Sequence, residues 1–324
     1  MNETALRAAG TPAVVTFGET MALARTTEIG SLKHASTLAL GIGGAESNVA
    51  IGLRRLGTPV SWLGRVGDDP LGERVLREIR GEGVTVHGVV DAGAPTGLMV
   101  KARPSSTSSA VHYYRAGSAG SRLEPADLPT GWVESASILH LTGITPLLSR
   151  SAREASVAAV DRARSAGVTV SFDINYRSAL ASRTVAGPIL REIAERADIV
   201  FGDAAELAVL YPDITPADAA ARLLEAGCTQ VVLKLGPEGA ATSTRSEQVE
   251  VPGFAVDVID TVGAGDAFVA GYLSAQLAGL DPRSTLLRAN ACGAMACQVP
   301  GDWEAAPTFH DIERFLEGGD PVRR

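Results

Sequence analysis

Short apolar runs recur along the chain, and helical periodicity fills most of the intervals between them. Residues 14–18 (Val-Val-Thr-Phe-Gly) form a β-rich run ending in glycine, which predicts a first central strand. Runs of the same kind lie at 60–67, 84–90, 138–143, 168–172, 199–202 and 231–236. Helical spacing predicts helices over 49–57, where Val49, Leu53 and Leu56 share a face, and over 70–81, 151–165, 189–196 and 286–297. Strands in such a βα alternation are covered on both faces, so the pattern predicts an α/β fold with a largely parallel sheet between two helical layers. Two stretches depart from the rule. Residues 21–42 carry scattered Thr, Ala and Leu without a helical period, and 96–116 return to alternation at Leu98, Val100 and Val111. Both predict strands of a smaller sheet outside the main core. A further apolar run at 254–259 reads as a strand leading into a glycine-rich turn. The whole reads as one domain over 13–318 behind a loose tail at 1–12, with no repeat, low-complexity tract or linker to divide it.

Composition narrows the function classes. With 45% hydrophobic and 20% charged residues over 324 positions, the chain can bury a large core. Its net charge of −8 argues against a nucleic-acid or membrane partner, though a local basic pocket can still take an anion. Three cysteines (Cys228, Cys292, Cys297) show neither metal-type spacing nor the density of a disulfide framework. They predict buried thiols in a reducing, cytoplasmic setting, and no apolar run is long enough to span a bilayer.

Candidate chemistry concentrates in Asp260-Thr261-Val262-Gly263-Ala264-Gly265-Asp266, ahead of a small-residue helical pattern. Gly263, Ala264 and Gly265 have almost no side chain, so an anion can approach the backbone N–H groups at a helix start, where the dipole is positive. Asp266 in the first turn can accept a proton from a hydroxyl. An anion cradle and a base within one turn is what phosphoryl transfer to an alcohol requires. A second glycine turn, Gly43-Gly44, precedes a helix with Asn48 one turn in, leaving backbone and an amide free for a polar ligand. Asp203-x-x-Glu206 has the spacing of a capping box, and Gly236-Pro237-Glu238-Gly239 is good turn chemistry after a strand.

The phrase DTVGAGDAFVAGYL at 260–273 resembles the C-terminal signature of the ribokinase-like (PfkB) carbohydrate kinases, and GGAESNVAIGLRRLG at 43–57 resembles their N-terminal signature. GRVGDDPLGERV at 64–75 has its counterpart there too, and the resemblance runs from about Val14 to Phe315. It implies a ribokinase-like fold whose small β-sheet is a lid over the sugar. It implies Asp266 as base with Gly263, Ala264 and Gly265 as anion hole, and Gly43, Gly44 and Asn48 on the sugar. ATP would lie along Lys234, Gly236 and Gly239, with Asn290 near the adenine. Asp203 and Glu206 stand where the family carries an N-x-x-E motif tied to Mg2+ placement, with aspartate here in place of asparagine. Asp260 matches a residue that joins a monovalent-cation (K+) site in some members.

Three phrases bear on the substrate: 113–121 (YYRAGSAGS), 139–146 (LHLTGITP) and 173–177 (DINYR) resemble those of 2-keto-3-deoxygluconate kinases. Tyr113, Arg115 and Arg177 would then face a sugar acid, since a guanidinium fork matches a carboxylate. Met99 stands where some of these enzymes carry a lid tyrosine. The alternatives are a fructokinase or another sugar kinase, and a non-catalytic sugar sensor. A sheet outside the core has edges and an apolar face to cover, which predicts a homodimer through the lid.

Overall fold

The computed structural model describes residues 12–105 and 108–318; the tail expected at 1–12 lies, but for Pro12, outside the described residues. In chain order the elements are β1 (Val14–Phe17), β2 (Met21–Ile29), β3 (Leu38–Gly43), α1 (Ala45–Arg55), β4 (Val60–Gly67), α2 (Pro70–Gly81), β5 (Thr85–Asp91), β6 (Leu98–Ser105), β7 (Ser108–Tyr114) and β8 (Ile138–Thr142). There follow α3 (Thr145–Leu148), α4 (Arg150–Ser165), β9 (Thr169–Asp173), α5 (Arg183–Ala194), β10 (Ile199–Gly202), α6 (Ala204–Leu210), α7 (Pro216–Ala226) and β11 (Gln230–Lys234). The chain closes with β12 (Gly239–Ser243), β13 (Gln248–Pro252), α8 (Ala264–Leu277), α9 (Pro282–Ala296) and α10 (Phe309–Leu316).

Nine strands form the main sheet in the order β13-β12-β11-β10-β9-β8-β1-β4-β5. All neighbours from β11 to β5 pair in parallel; only the β11–β12 and β12–β13 pairs are antiparallel, closing one edge. One face buries Leu139, Phe172 and Val200 against α4 to α7, and the other buries Trp62, Phe201 and Val232 against α1, α2, α8 and α9. The all-apolar strands of the sequence are therefore those sandwiched by helices, as the pattern predicts. Strand order reverses between β1 and β8, the kind of place where open α/β sheets bind ligands.

The smaller sheet, in the order β3-β2-β6-β7, leaves the core at the C-terminal end of β1. Its β2–β6 pair is parallel and the outer two pairs are antiparallel. Met21, Leu23 and Met99 pack on its inner face, whereas Ile29, Leu38, Leu40 and Tyr114 are exposed.

Some sequence expectations change. Residues 254–259 form no strand: Ile259 and Asp260 donate to the Cys297 carbonyl at 2.8 and 3.1 Å, and Val258 is exposed. α5 starts six residues before the expected 189 and holds Pro188. The β12–β13 hairpin and helices α7 and α10 carry no expectation from the sequence. Among the described residues no helix is long and apolar enough to cross a membrane.

Candidate active site

Helix α8 sets the floor. Gly263 caps it in the left-handed region at φ +79°, and a Cβ there would strike the Asp302 carbonyl, so the turn needs glycine for two separate reasons. The Ala264 N–H turns back to the Thr261 carbonyl at 3.3 Å, while those of Gly263 and Gly265 have no acceptor among the described residues. Gly265 is different again: a Cβ there meets nothing within 4 Å, because the position opens onto the cleft. From Asp266 to Ala275 every residue of α8 is buried, and Gly271 lets the helix close onto the backbone of α9 at Ala289.

Asp266 projects from the first turn of this helix, 7% exposed. Its Oδ2 accepts from Asn48 Nδ2 at 2.8 Å and its Oδ1 from Asn175 Nδ2 at 3.5 Å. Two amides orient the carboxylate without neutralising it. Burial pushes its pKa up to about 7, and the nearby Asp173 and Asp302 carboxylates push the same way, against Asn48 and Arg177. A carboxylate in that range can take a proton near neutral pH. Asn48 reaches it because Gly44 caps α1 in extended conformation, where a Cβ would lie 2.5 Å from the Glu19 carbonyl. Asn175 adopts φ +37°, a strained value that asparagine tolerates better than most residues.

Above this floor a cleft of about 740 Å³ opens between the C-terminal ends of the strands and the lid. That volume suits a small ligand with part of a nucleotide. Lys234, at the end of β11, donates to Asp173 Oδ1 at 2.8 Å and lies 3.5 Å from Glu206 Oε2. Burial would lower its pKa, but these carboxylates hold the ammonium above the ordinary lysine value. Glu206 forms the capping box of α6 with Asp203 and also accepts the Tyr176 N–H at 3.1 Å; burial raises its pKa, against the pull of Lys234. The capping-box reading of Asp203-x-x-Glu206 holds, and both residues also line the cleft. Among the described residues no group of three or more His, Cys, Asp or Glu side chains is gathered as a resident metal site. The sparse pair fits Mg2+ that keeps its waters and arrives on phosphates.

The two arginines differ. Arg177 is exposed in the cleft with no ion-pair partner among the described residues. Arg115 is tied back: its Nε donates to Glu19 Oε2 at 2.7 Å, its Nη2 reaches the same oxygen, and Ser118 closes on the other. Tyr113 lies against the Arg115 guanidinium, 5.8 Å from ring centroid to Cζ, and lines the cleft with it. Met99 closes the lid side with sulfur and methyl where a hydroxyl was missing from the sequence pattern.

Gly43, Gly44, Asn48, Asp203, Glu206, Lys234, Gly236, Gly263, Gly265 and Asp266 come together around this one cleft. Ala264, Gly239 and Asn290 do not: Ala264 packs instead against a buried cluster with Ala267 and Ala291. Gly239, at φ +109°, makes room for the Val251 carbonyl, and the Asn290 amide donates to the Val251 and Pro252 carbonyls at 3.0 and 3.1 Å, which ties α9 to β13. Asp260 is spoken for as well: Lys101 Nζ sits 2.5 Å from its Oδ2 and donates to the Gly301 carbonyl at 2.9 Å. A monovalent cation does not fit there beside the ammonium. The sequence pattern overlooks Lys101, Asn175 and Asp302 as cleft residues, whereas Glu19 stands just past the first strand, where open α/β sheets place ligands. Asp302 is the most consequential, a carboxyl pushed up to about 6 by burial against the pull of Lys101. Of the three overlooked, only Asn175 carries a local signal, as an amide just past a buried strand end.

Known proteins share this sequence pattern and fold. The family model for pfkB family carbohydrate kinases matches residues 11–308. The 2-dehydro-3-deoxygluconokinase of Bacillus subtilis (strain 168) is 40% identical over 314 residues, covering 96% of this chain and 97% of that protein. An E. coli protein assigned as a ribokinase II, solved with ATP and Mg2+, superposes with a TM-score of 0.88 at 26% identity, covering 95% of this chain and 99% of that one. A fructokinase double mutant from Vibrio cholerae O395, solved with fructose, ADP and potassium ion, superposes at 0.84 with 25% identity, covering 96% of this chain and all of that one. A glycine turn with two N–H groups lacking acceptors among the described residues, a buried carboxylate in the first turn of its helix and a lidded cleft thus sit in a matched sequence of nearly full length, and the chain belongs to the pfkB family of carbohydrate kinases.

Proposed function

We propose that this kinase transfers the γ-phosphoryl group of ATP to the terminal (6-) hydroxyl of 2-keto-3-deoxygluconate, the 2-dehydro-3-deoxygluconate of its B. subtilis relative. The observation that carries the reading of the chemistry is the Asp266 carboxylate, buried, held by two amides and set below unsatisfied N–H groups. Asp266 accepts the hydroxyl proton as the oxygen attacks the γ-phosphorus, and ADP leaves. Charge growing on the transferred group meets the Gly263 and Gly265 N–H groups, each such donor being worth about 3–4 kcal/mol where it has been tested in other enzymes. Lys234 and Gly236 bound the phosphate side of the cleft. Mg2+ held through water by Asp203 and Glu206 would offset phosphate charge.

The sugar acid is favoured by Arg177, an unpaired guanidinium facing the cleft, together with the B. subtilis relative. ADP release measured across 2-keto-3-deoxygluconate, fructose, ribose and gluconate tests it. The expected order puts the keto acid first in kcat/KM; a tenfold or larger preference for fructose, to set a conventional threshold, would make this a fructokinase. Sugar binding without ADP release under saturating MgATP would make it a sensor. The exposed Ile29, Leu38, Leu40 and Tyr114 support a homodimer through the outer face of the lid, which a monomer in light scattering would refute. The buried, unpaired Cys228 and Cys292 support a cytoplasmic setting.

A further inference from the structure

Lys101 is a lysine in an unusual place. It sits on β6, two residues after Met99, so both point to the inner face of the lid, and it is 4% exposed. A buried ammonium persists only where acceptors replace its water. Here they come from two segments far along the chain: Asp260 Oδ2 at 2.5 Å, the Gly301 carbonyl at 2.9 Å and, more remotely, Asp302 Oδ1 at 3.8 Å.

Those segments flank the glycine turn. Asp260 Oδ1 accepts the Val262 N–H at 3.2 Å, just before Gly263, and its Oδ2 also takes the Gly301 N–H at 3.4 Å. One residue further, the Asp302 carbonyl packs against the α-carbon side of Gly263. A single positive charge therefore clamps the stretch before the turn to the stretch that supports it. A small hollow reaches the pair, but Arg25, Lys101 and Arg103 outnumber Glu28 and Asp260 in its walls. Its charge resists entry by a second cation.

We infer that the Lys101 ammonium is a built-in monovalent cation: it fixes the anion-hole turn, a role open to a bound potassium ion at Asp260, and links lid strand β6 to that turn. This rests on the phosphoryl-transfer reading above. Lys101 acts here as a positioning residue, through Asp260, and the enzyme should need no added potassium.

The test compares wild type with Lys101→Met, which keeps the stem and removes the charge, and with Lys101→Ala, which leaves room for an ion. ADP release and thermal melting are followed in potassium, ammonium, ethylammonium and tetramethylammonium chlorides at constant ionic strength. Wild-type turnover and Tm should be the same, within about twofold in rate, in all four salts. Lys101→Ala should lose about tenfold or more in kcat in tetramethylammonium, because the glycine turn is no longer held in place. Potassium, ammonium or ethylammonium should restore several-fold and raise its Tm, whereas Lys101→Met should be impaired without rescue. Potassium activation of the wild type would overturn the inference. So would full turnover in Lys101→Ala, loss that no cation repairs, or a raised sugar KM at unchanged kcat, which would make Lys101 a substrate ligand. If the wild type phosphorylates no sugar in any salt, the functional reading has failed. The melting data then still decide the inference: cation-specific stabilisation of Lys101→Ala but not of wild type upholds it, and its absence overturns it.

Discussion

The floor and the lid of the cleft handle charge in opposite ways. On the floor, Asp266 is buried with two amides and no counter-ion in contact, so its proton affinity is raised into the neutral range. In the lid and at its junction with the core, Arg115 and Lys101 are each closed onto a buried carboxylate, Glu19 and Asp260. The floor keeps the Asp266 charge open beside a closed Lys234–Asp173 pair, while the lid commits its charges to holding shape. Position near the substrate is therefore a poor guide to role: what matters is whether a group's hydrogen-bonding capacity is already filled.

Asp266→Asn presses hardest on this contrast. The amide keeps the shape and can still face Asn48, but it cannot take a proton, and turnover should fall by about 10²–10⁴-fold with sugar and ATP affinity nearly unchanged. Near-normal turnover would take the base role from Asp266. Gly265→Leu comes next. Its side chain enters open cleft rather than packed protein, so kcat should drop by about 10²-fold or more while the melting temperature holds. A variant that unfolds, or one that stays active, would break the assignment.

The arginines give the middle of the scale. Arg177→Ala should raise KM for the sugar acid tens-fold or more, from loss of about 2–5 kcal/mol of charge pairing in the complex, and should spare fructose. Arg115→Ala strands Glu19 in the interior, 2% exposed, and should cost about 3–5 kcal/mol of stability with little acid-over-neutral discrimination. Equal selectivity losses in both variants would erase the distinction between floor and lid.

The smallest effect is on pH. The Asp266 base must be ionised, so kcat/KM should fall as pH drops below about 7. Stability runs the other way. A carboxyl whose folded pKa is raised from 3.8 to about 7 favours the folded state below pH 4, and that advantage is lost as pH climbs through 7. Asp266→Asn should therefore gain more in Tm over wild type at pH 8 than at pH 5. A difference of the opposite sign would mean that the carboxylate is not held against its charge.

Much of this was legible in the sequence, for reasons that also mark the limit. The buried strands β1, β4 and β8 to β11 show as continuous apolar runs because helices cover both faces, and the two glycine turns show because close backbone approach admits little else. The β12–β13 hairpin is hidden in Gly-Ala-Ala-Thr-Ser, whose small residues carry no period, while 254–259 has strand composition but ends tied to the Cys297 carbonyl at the C-terminal end of α9. Arg115 and Lys101 could be read as residue types but not as occupied groups. Their acceptors lie 96 residues away at Glu19 and 200 away at Gly301, and nothing local to either residue announces them.

Gly263 and Gly265 stand two positions apart and are under different kinds of constraint. The first is held by backbone geometry and the Asp302 carbonyl, so any lineage that needs this fold must keep it. The second has helical neighbours and empty space around it, and by propensity alone alanine would serve the helix better by about 0.8–1 kcal/mol. Released from any demand for phosphoryl transfer and left to drift under selection for folding alone, position 265 would leave glycine while 263 stayed. Under the anion-hole role proposed for it, a glycine at 265 is a record of use, and in a descendant of this chain its loss would be an early mark of retirement from catalysis.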